Sequence, residues 1–256
     1  SAAGAGVIIA LMALLKIYID SLGFSPFQRA VLFSLNYGLG FVLVHMLHFT
    51  IATKQPAMTA ASFAQEVERG ENGRAVNKKL AALLIDVNRS QWAAVWGNVS
   101  VAILLASGIA LAVYLLSGTA LLTPAVVDYQ LKAISPVAGL ALFYAAIAGV
   151  WLFCSGIIAG FFDNRAKCLE LRLRLLQHPL LKKLLPERAR KKFADYVHDN
   201  YGALAGNFLF GVLLGMTGYV GYVSGLPLDI RHVAFSSANL GYSAVSGEIG
   251  VLSFLL

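Results

Sequence analysis

The sequence predicts an all-α polytopic membrane helix bundle of six spans, or five plus a re-entrant helix, with amphipathic cytoplasmic helical hairpins. Three observations predict it. The 256 residues are 58% hydrophobic and 13% charged, with mean hydropathy +0.72, whereas soluble domains carry about 25% charged residues. Six apolar stretches each reach or approach the ~20 residues that cross a ~30 Å hydrocarbon core. Most Lys and Arg fall between two particular pairs of these stretches.

The stretches lie at 2–19, 29–51, 93–122, 136–162, 204–223 and 233–256. The third and fourth are long enough to tilt or to extend past the bilayer. The sixth carries Ser236, Ser237, Asn239, Ser243, Ser246 and Glu248, so a re-entrant course buried against other helices is the alternative to a crossing. The chain reads as a single transmembrane domain, 1–256, belonging to a longer protein. It opens at Ser1 without a basic region and cleavage site, and closes on the apolar VLSFLL.

The chain is organised around 45–61, HMLHFTIATKQPAMTAA, where an apolar run gives way to a polar, basic segment. This reads as the inner end of a membrane helix turning into a surface helix. Of the 20 Lys and Arg, 16 fall in the segments 54–91 and 163–203. The positive-inside rule makes both segments cytoplasmic, with Ser1 on the same side. The expected location is the inner membrane, multi-pass.

Both cytoplasmic segments read as helical. Ser62 with Gln65 resembles a capping box, and Val76, Leu80, Leu83, Leu84 and Val87 form one stripe of a second helix. Trp92 and Trp96, one turn apart, fit an interfacial aromatic belt. In 163–203, Leu169, Leu173 and Leu176 line a face, Glu170 and Arg174 form an i,i+4 pair, and a short helix runs over 187–201. Its cations, Arg165, Lys167, Arg172, Arg174, Lys182, Lys183, Arg188, Arg190, Lys191 and Lys192, suit an anionic lipid surface. Nucleic acid is the weaker partner, since no compact nucleic-acid fold surrounds them.

A weak internal repeat is visible. Gly97-Asn98 and Gly206-Asn207 open two spans, and Ser34-Leu35-Asn36-Tyr37-Gly38 matches Ser237-Ala238-Asn239-Leu240-Gly241. Gly211, Gly215, Gly218, Gly221 and Gly225 make a small-residue track, as do Gly156 and Gly160, which signals close helix packing and leaves a homo-oligomer open. Cys154 and Cys168 lie in dissimilar surroundings and read as unpaired thiols.

The candidate polar path within the spans is His45, His48, Asn36, Asn98, Asn207, Asn239 and Glu248. Each needs a partner in hydrocarbon, and each serves equally as interhelical glue worth about 0.6–2 kcal/mol. His45 and His48, three apart, share a helical face. With no Cys or Asp at ligand spacing they read as an interfacial pair rather than a metal site, so no metal and no cofactor is expected. Asp229 would cap the last helix, with Arg231 and His232 facing an outer vestibule. No phosphate-binding glycine motif, nucleophile elbow or HExxH pattern occurs, and no catalytic residue is assigned.

The stretch His48-Phe49 with 52–60, ATKQPAMTA, which includes Lys54, Gln55, Pro56 and Met58, and the stretch 225–239, GLPLDIRHVAFSSAN, resemble a bacterial family labelled site-specific recombinase, of the Gcr type. The resemblance covers most of the chain, as the membrane-embedded C-terminal part of a longer member. It implies DNA recombination at the membrane. Recombinase catalysis needs a nucleophilic Tyr with clustered Arg and His, or a Ser with several Arg, and no position here is assigned such a role.

From the residues themselves, a non-enzymatic transport, channel or membrane-scaffold module is expected. The alternatives are the recombination that the resemblance implies and a lipid-acting enzyme using His45 and His48.

Overall fold

The computed structural model describes residues 1–51, 73–135 and 139–247. Those residues form helices joined by short turns and loops, with no strand among them. The helices are α1 (Ala2–Ser21), α2 (Pro26–Met46), α3 (Gly73–Ser117), α4 (Pro124–Ile134), α5 (Ala141–Cys168), α6 (Leu171–Gln177), α7 (Pro179–Leu184), α8 (Glu187–Ser224) and α9 (Val233–Ser246). Five of them, α1, α2, α3, α5 and α8, are long and apolar enough to cross a membrane. The motif residues Lys54, Gln55, Pro56 and Met58, the Ser62–Gln65 capping box and Glu248 lie outside the described residues.

Several boundaries depart from the sequence reading, each for a local reason. Helix α2 starts at Pro26 because Ser25 and Gln28 form a reciprocal capping box ahead of it. The surface helix expected before the third span is not separate. No Gly or Pro interrupts 74–96, and α3 runs unbroken for 45 residues. The short helix expected at 187–201 likewise continues through the fifth span as the 38-residue α8. Between the third and fourth apolar stretches, 123–135 holds α4, started by Pro124 after Thr123. Arg165 and Lys167, expected beyond the fourth span, belong to the last turn of α5.

The Leu169–Leu173–Leu176 face and the Glu170–Arg174 pair do not form as expected. Glu170 is left-handed (φ 48°) and breaks the chain between α5 and α6. Of the sixth apolar stretch, the described part contains the 14-residue α9. That length, about 21 Å, is short of a crossing.

Small residues bring the helices together. Gly211 and Gly215 of α8 lie against Gly38 and Ser34 of α2, with no room for a Cβ. Gly202 and Gly206 of α8 meet Asp163, Ala159 and Ser155 of α5 in the same way. Gly241 of α9 rests on Ile103 and Ala106 of α3, and the Ser107 hydroxyl donates to the Gly241 carbonyl (3.2 Å). The matched Ser-x-Asn-x-Gly motifs therefore do matched jobs, each seating its helix on one of the two longest ones. By contrast, Gly160 and Gly218, expected in the packing tracks, face open space.

The core lies among α1, α2, α3, α8 and α9, around Ile9, Phe41, Val44, Leu214 and Tyr242. The Tyr242 hydroxyl donates to the Ala10 carbonyl across it (2.9 Å). Helix α5 packs mainly on α8. It presents Leu142, Phe153 and Ile157 outward, the pattern expected of a face toward lipid.

Candidate ligand cleft

The two ends of the bundle differ in chemistry. At one end the start of α1, the end of α2, the end of α5 and the start of α8 come together with α6 and α7. This end carries Arg165, Lys167, Arg172, Arg174, Lys182, Lys183, Arg188, Arg190, Lys191 and Lys192. Most of these side chains are exposed, and exposed Leu173, Leu180, Leu184 and Phe193 stand among them. Arg172 pairs with Asp195, and Lys182 donates to the Gln177 side chain (2.6 Å).

At the opposite end the bundle opens into a cleft of about 490 Å³. Its walls come from α1, α2, α4, α5, α8, α9 and the 225–232 loop. Five charged side chains line it: Lys16, Asp20, Arg29, Asp229 and Arg231. Tyr129, Tyr144, Tyr219, Tyr222, Gln130 and Asn239 add polar groups.

Each charge is held differently. Arg29 reaches Asp20 at 3.4 Å, both about half exposed, a pair worth at most about 1 kcal/mol. Arg231 bonds Asp229 at 2.6 Å and also donates to the carbonyls of Ile230 (2.7 Å) and Ala133 (3.1 Å). Its guanidinium stacks 5.3 Å over the Tyr144 ring. Burial works against the Arg231 charge, but the Asp229 carboxylate, helped by Tyr129, outweighs it and holds the group above its ordinary value.

Lys16 is placed by aromatic faces. Its Nζ lies 5.0 Å from the Phe33 centroid and 6.0 Å from that of Tyr37. Among the described residues no carboxylate comes within ion-pair distance of it.

The glycines of α8 shape the wall beside these charges. Gly215 is consumed by contact with Ser34, whereas Gly218 leaves open space. Gln130 accepts from the Ser243 hydroxyl (2.8 Å) through its carbonyl oxygen, so its amide hydrogens remain for other partners.

The expected polar path is not one path. Asn36 donates to the Met12 carbonyl (2.8 Å), joining α2 to α1. Asn98, fully buried, donates to the carbonyls of Ala2 (2.9 Å) and Thr50 (3.0 Å). Asn207 is buried on α8 beside the Gly206 seat. Of the set, Asn239 lines the cleft. His45 and His48 do not share a helical face, because α2 ends at Met46 and His48 is left-handed (φ 55°) and exposed. His45 Nε2 instead lies 3.1 Å from Asn200 Oδ1 of α8. No group of three metal-ligating side chains occurs among the described residues.

In the 225–239 motif, Asp229 and Arg231 line the cleft, whereas His232 turns into the core between the rings of Phe41 and Phe235. Burial lowers its pKa from 6.5 to about 4. Asp229 does not cap α9, whose N-cap is His232; it bonds the Ile230 amide (2.7 Å) and Arg231.

Lys16, Asp20, Arg29 and the tyrosines were not singled out from sequence. The signal was there in Lys16, a lone charge inside an apolar stretch, which marks a functional position by default.

The family described as "Site-specific recombinase" matches residues 1–256. No curated protein and no solved structure matches the chain significantly.

Proposed function

The chain belongs to the site-specific recombinase family over residues 1–256, and from that premise we propose that it is a non-enzymatic, ligand-handling membrane module of transport or channel type. One observation carries the proposal. A cleft of about 490 Å³ lined by five charged side chains enters a bundle of otherwise apolar helices. Charges in such surroundings are costly and mark substrate or ion paths, and the volume suits a small ligand. By the positive-inside rule the basic end faces the cytoplasm, resting its exposed leucines and cations on anionic headgroups of the inner membrane, and the cleft faces the other side.

Cysteine accessibility tests this. In a Cys154→Ala, Cys168→Ser background, single cysteines at Tyr222, Gly218 and Asn207 are treated in intact cells and in inverted vesicles with a membrane-impermeant maleimide. Tyr222→Cys and Gly218→Cys are expected to label from the cleft side alone, and Asn207→Cys from neither. If Gly218→Cys were as inert as Asn207→Cys, the bundle would be closed and a scaffold role would replace transport.

The family description supports a second reading, DNA recombination at the membrane, through the exposed cations of 163–203. Tyr196 and Tyr201 lie on the same helix, but Tyr201 packs edge-on against Phe162 (5.2 Å) and the Tyr196 hydroxyl is buried. This reading predicts a salt-sensitive gel shift with duplex DNA that disappears when Arg188, Arg190, Lys191 and Lys192 are neutralised.

A further inference from the structure

The charges of the cleft do not cancel. Asp20 balances Arg29 and Asp229 balances Arg231, each through its own ion pair. Lys16 is left over, so the five side chains sum to one positive charge. Its ammonium is held toward the cleft by the faces of Phe33 and Tyr37. A ring face offers weak compensation, and Asp20, Asp229 and the Tyr37 hydroxyl act on the ammonium through space without forming an ion pair with it, so the cleft keeps its one positive charge in excess. The neutral lining adds donors, among them the Gln130 amide and tyrosine hydroxyls.

We propose that the cleft is an anion site, in which Lys16 takes a phosphate or carboxylate group entering from the face opposite the basic end. The inference rests on the open cleft argued above and adds the chemical class of what occupies it. Arg29 and Arg231 are positioning groups: each is tied to its own carboxylate, and Arg231 is also tied to the carbonyls of Ile230 and Ala133. They fix the walls while Lys16, which has no ion pair of its own, gives the cleft its excess positive charge. A small free anion and the headgroup of a lipid whose phosphate reaches the cleft share this chemistry.

The test uses Gly218→Cys, where an added side chain meets open space, in the cysteine-free background and in vesicles of zwitterionic lipid. Two thiol reagents of similar size and opposite charge are compared: the sulfonate MTSES and the trimethylammonium MTSET. The sulfonate is expected to react faster, relative to the reactivity of each reagent with a free thiol. Lys16→Met is expected to lower the MTSES-to-MTSET ratio on the order of tenfold, as removal of one unit charge from the wet cleft that Gly218 also lines implies.

Lys16→Arg, which keeps the charge, is expected to keep the ratio; if Lys16→Met fails to fold, Lys16→Gln, which removes the charge and keeps a polar side chain, is expected to lower the ratio in the same way. Inorganic phosphate slowing the sulfonate reaction identifies a free-anion site. Slowing only when phosphatidylglycerol replaces part of the zwitterionic lipid identifies a headgroup site.

A ratio favouring the cation, or one unchanged in Lys16→Met, overturns the anion site while leaving the cleft itself intact. Silence toward both reagents removes the open cleft as well.

Discussion

Gly211 of α8 lies directly on Gly38 of α2, backbone against backbone, with no space between them for a Cβ. Of the glycines on the α2–α8 seam, Gly211 leaves the least room for a Cβ. Gly211→Ala is expected to destabilise the protein by about 1–3 kcal/mol, because the two backbones must move apart. Gly160→Ala meets nothing within 4 Å and is expected to be neutral or slightly stabilising, since alanine is the better helix former. Thermal unfolding of both variants in one detergent makes the comparison.

Asn98 ties three segments of chain, donating to Ala2 and Thr50 from the middle of α3. Asn98→Ala is expected to cost about 1–2 kcal/mol, since two part-buried acceptors lose their donor and a buried side chain is truncated. His48→Ala, at an exposed helix end, is expected to change stability by less than about 0.5 kcal/mol. Equal losses from the two would contradict the roles given to them.

The two ion pairs of the cleft are expected to differ in weight. The Asp229 and Arg231 side chains are 30% and 16% exposed, those of Asp20 and Arg29 46% and 40%. Asp229→Asn strands a largely buried guanidinium and is expected to cost roughly 2–4 kcal/mol. Asp20→Asn is expected to cost less than about 1 kcal/mol. Urea titration of the reconstituted protein, at low and high salt, separates the two.

His232 gives the fold an acid limit. Its pKa falls from 6.5 to about 4 through burial, so between those values the unfolded chain takes up the proton first. The contribution of His232 to stability is therefore constant well above pH 6.5, falls as pH drops through that window, and is lower by roughly 2 kcal/mol at pH 5. His232→Phe, which keeps the ring among Phe41 and Phe235, is expected to remove this slope, as melting curves at pH 7 and pH 5 would show.

Hydropathy and charge placement disclosed the helical bundle because both are local properties of the chain. The small-residue seats were legible for the same reason, since glycines at helical spacing mark a face. Which of them carry a neighbour was not, because Gly160 and Gly211 look alike until another helix is placed beside them. The α2 start is written in the capping residues Ser25-Pro26-Phe27-Gln28, which lie ahead of Arg29, where the apolar run itself begins. The cleft was hidden for a different reason. Lys16, Asp20 and Arg29 are close together in the chain, but Asp229 and Arg231 lie some two hundred residues away, and only the docking of the 225–232 loop among the helix ends brings them together.

At about 1.5 Å per residue, the 45-residue α3 is roughly 68 Å long, more than twice the thickness of the hydrocarbon. Ala2 meets it at Gly97, and the exposed Trp92 and Trp96 mark the interface nearby. In the turns before them Leu84 and Ile85 are more than half exposed. A bilayer edge at Trp92 and Trp96 would make such a helix a mast rather than a raft, standing residue 73 off the lipid by about the width of a small folded domain. A spin label at Ile85 would then escape relaxation by a lipid-borne quencher.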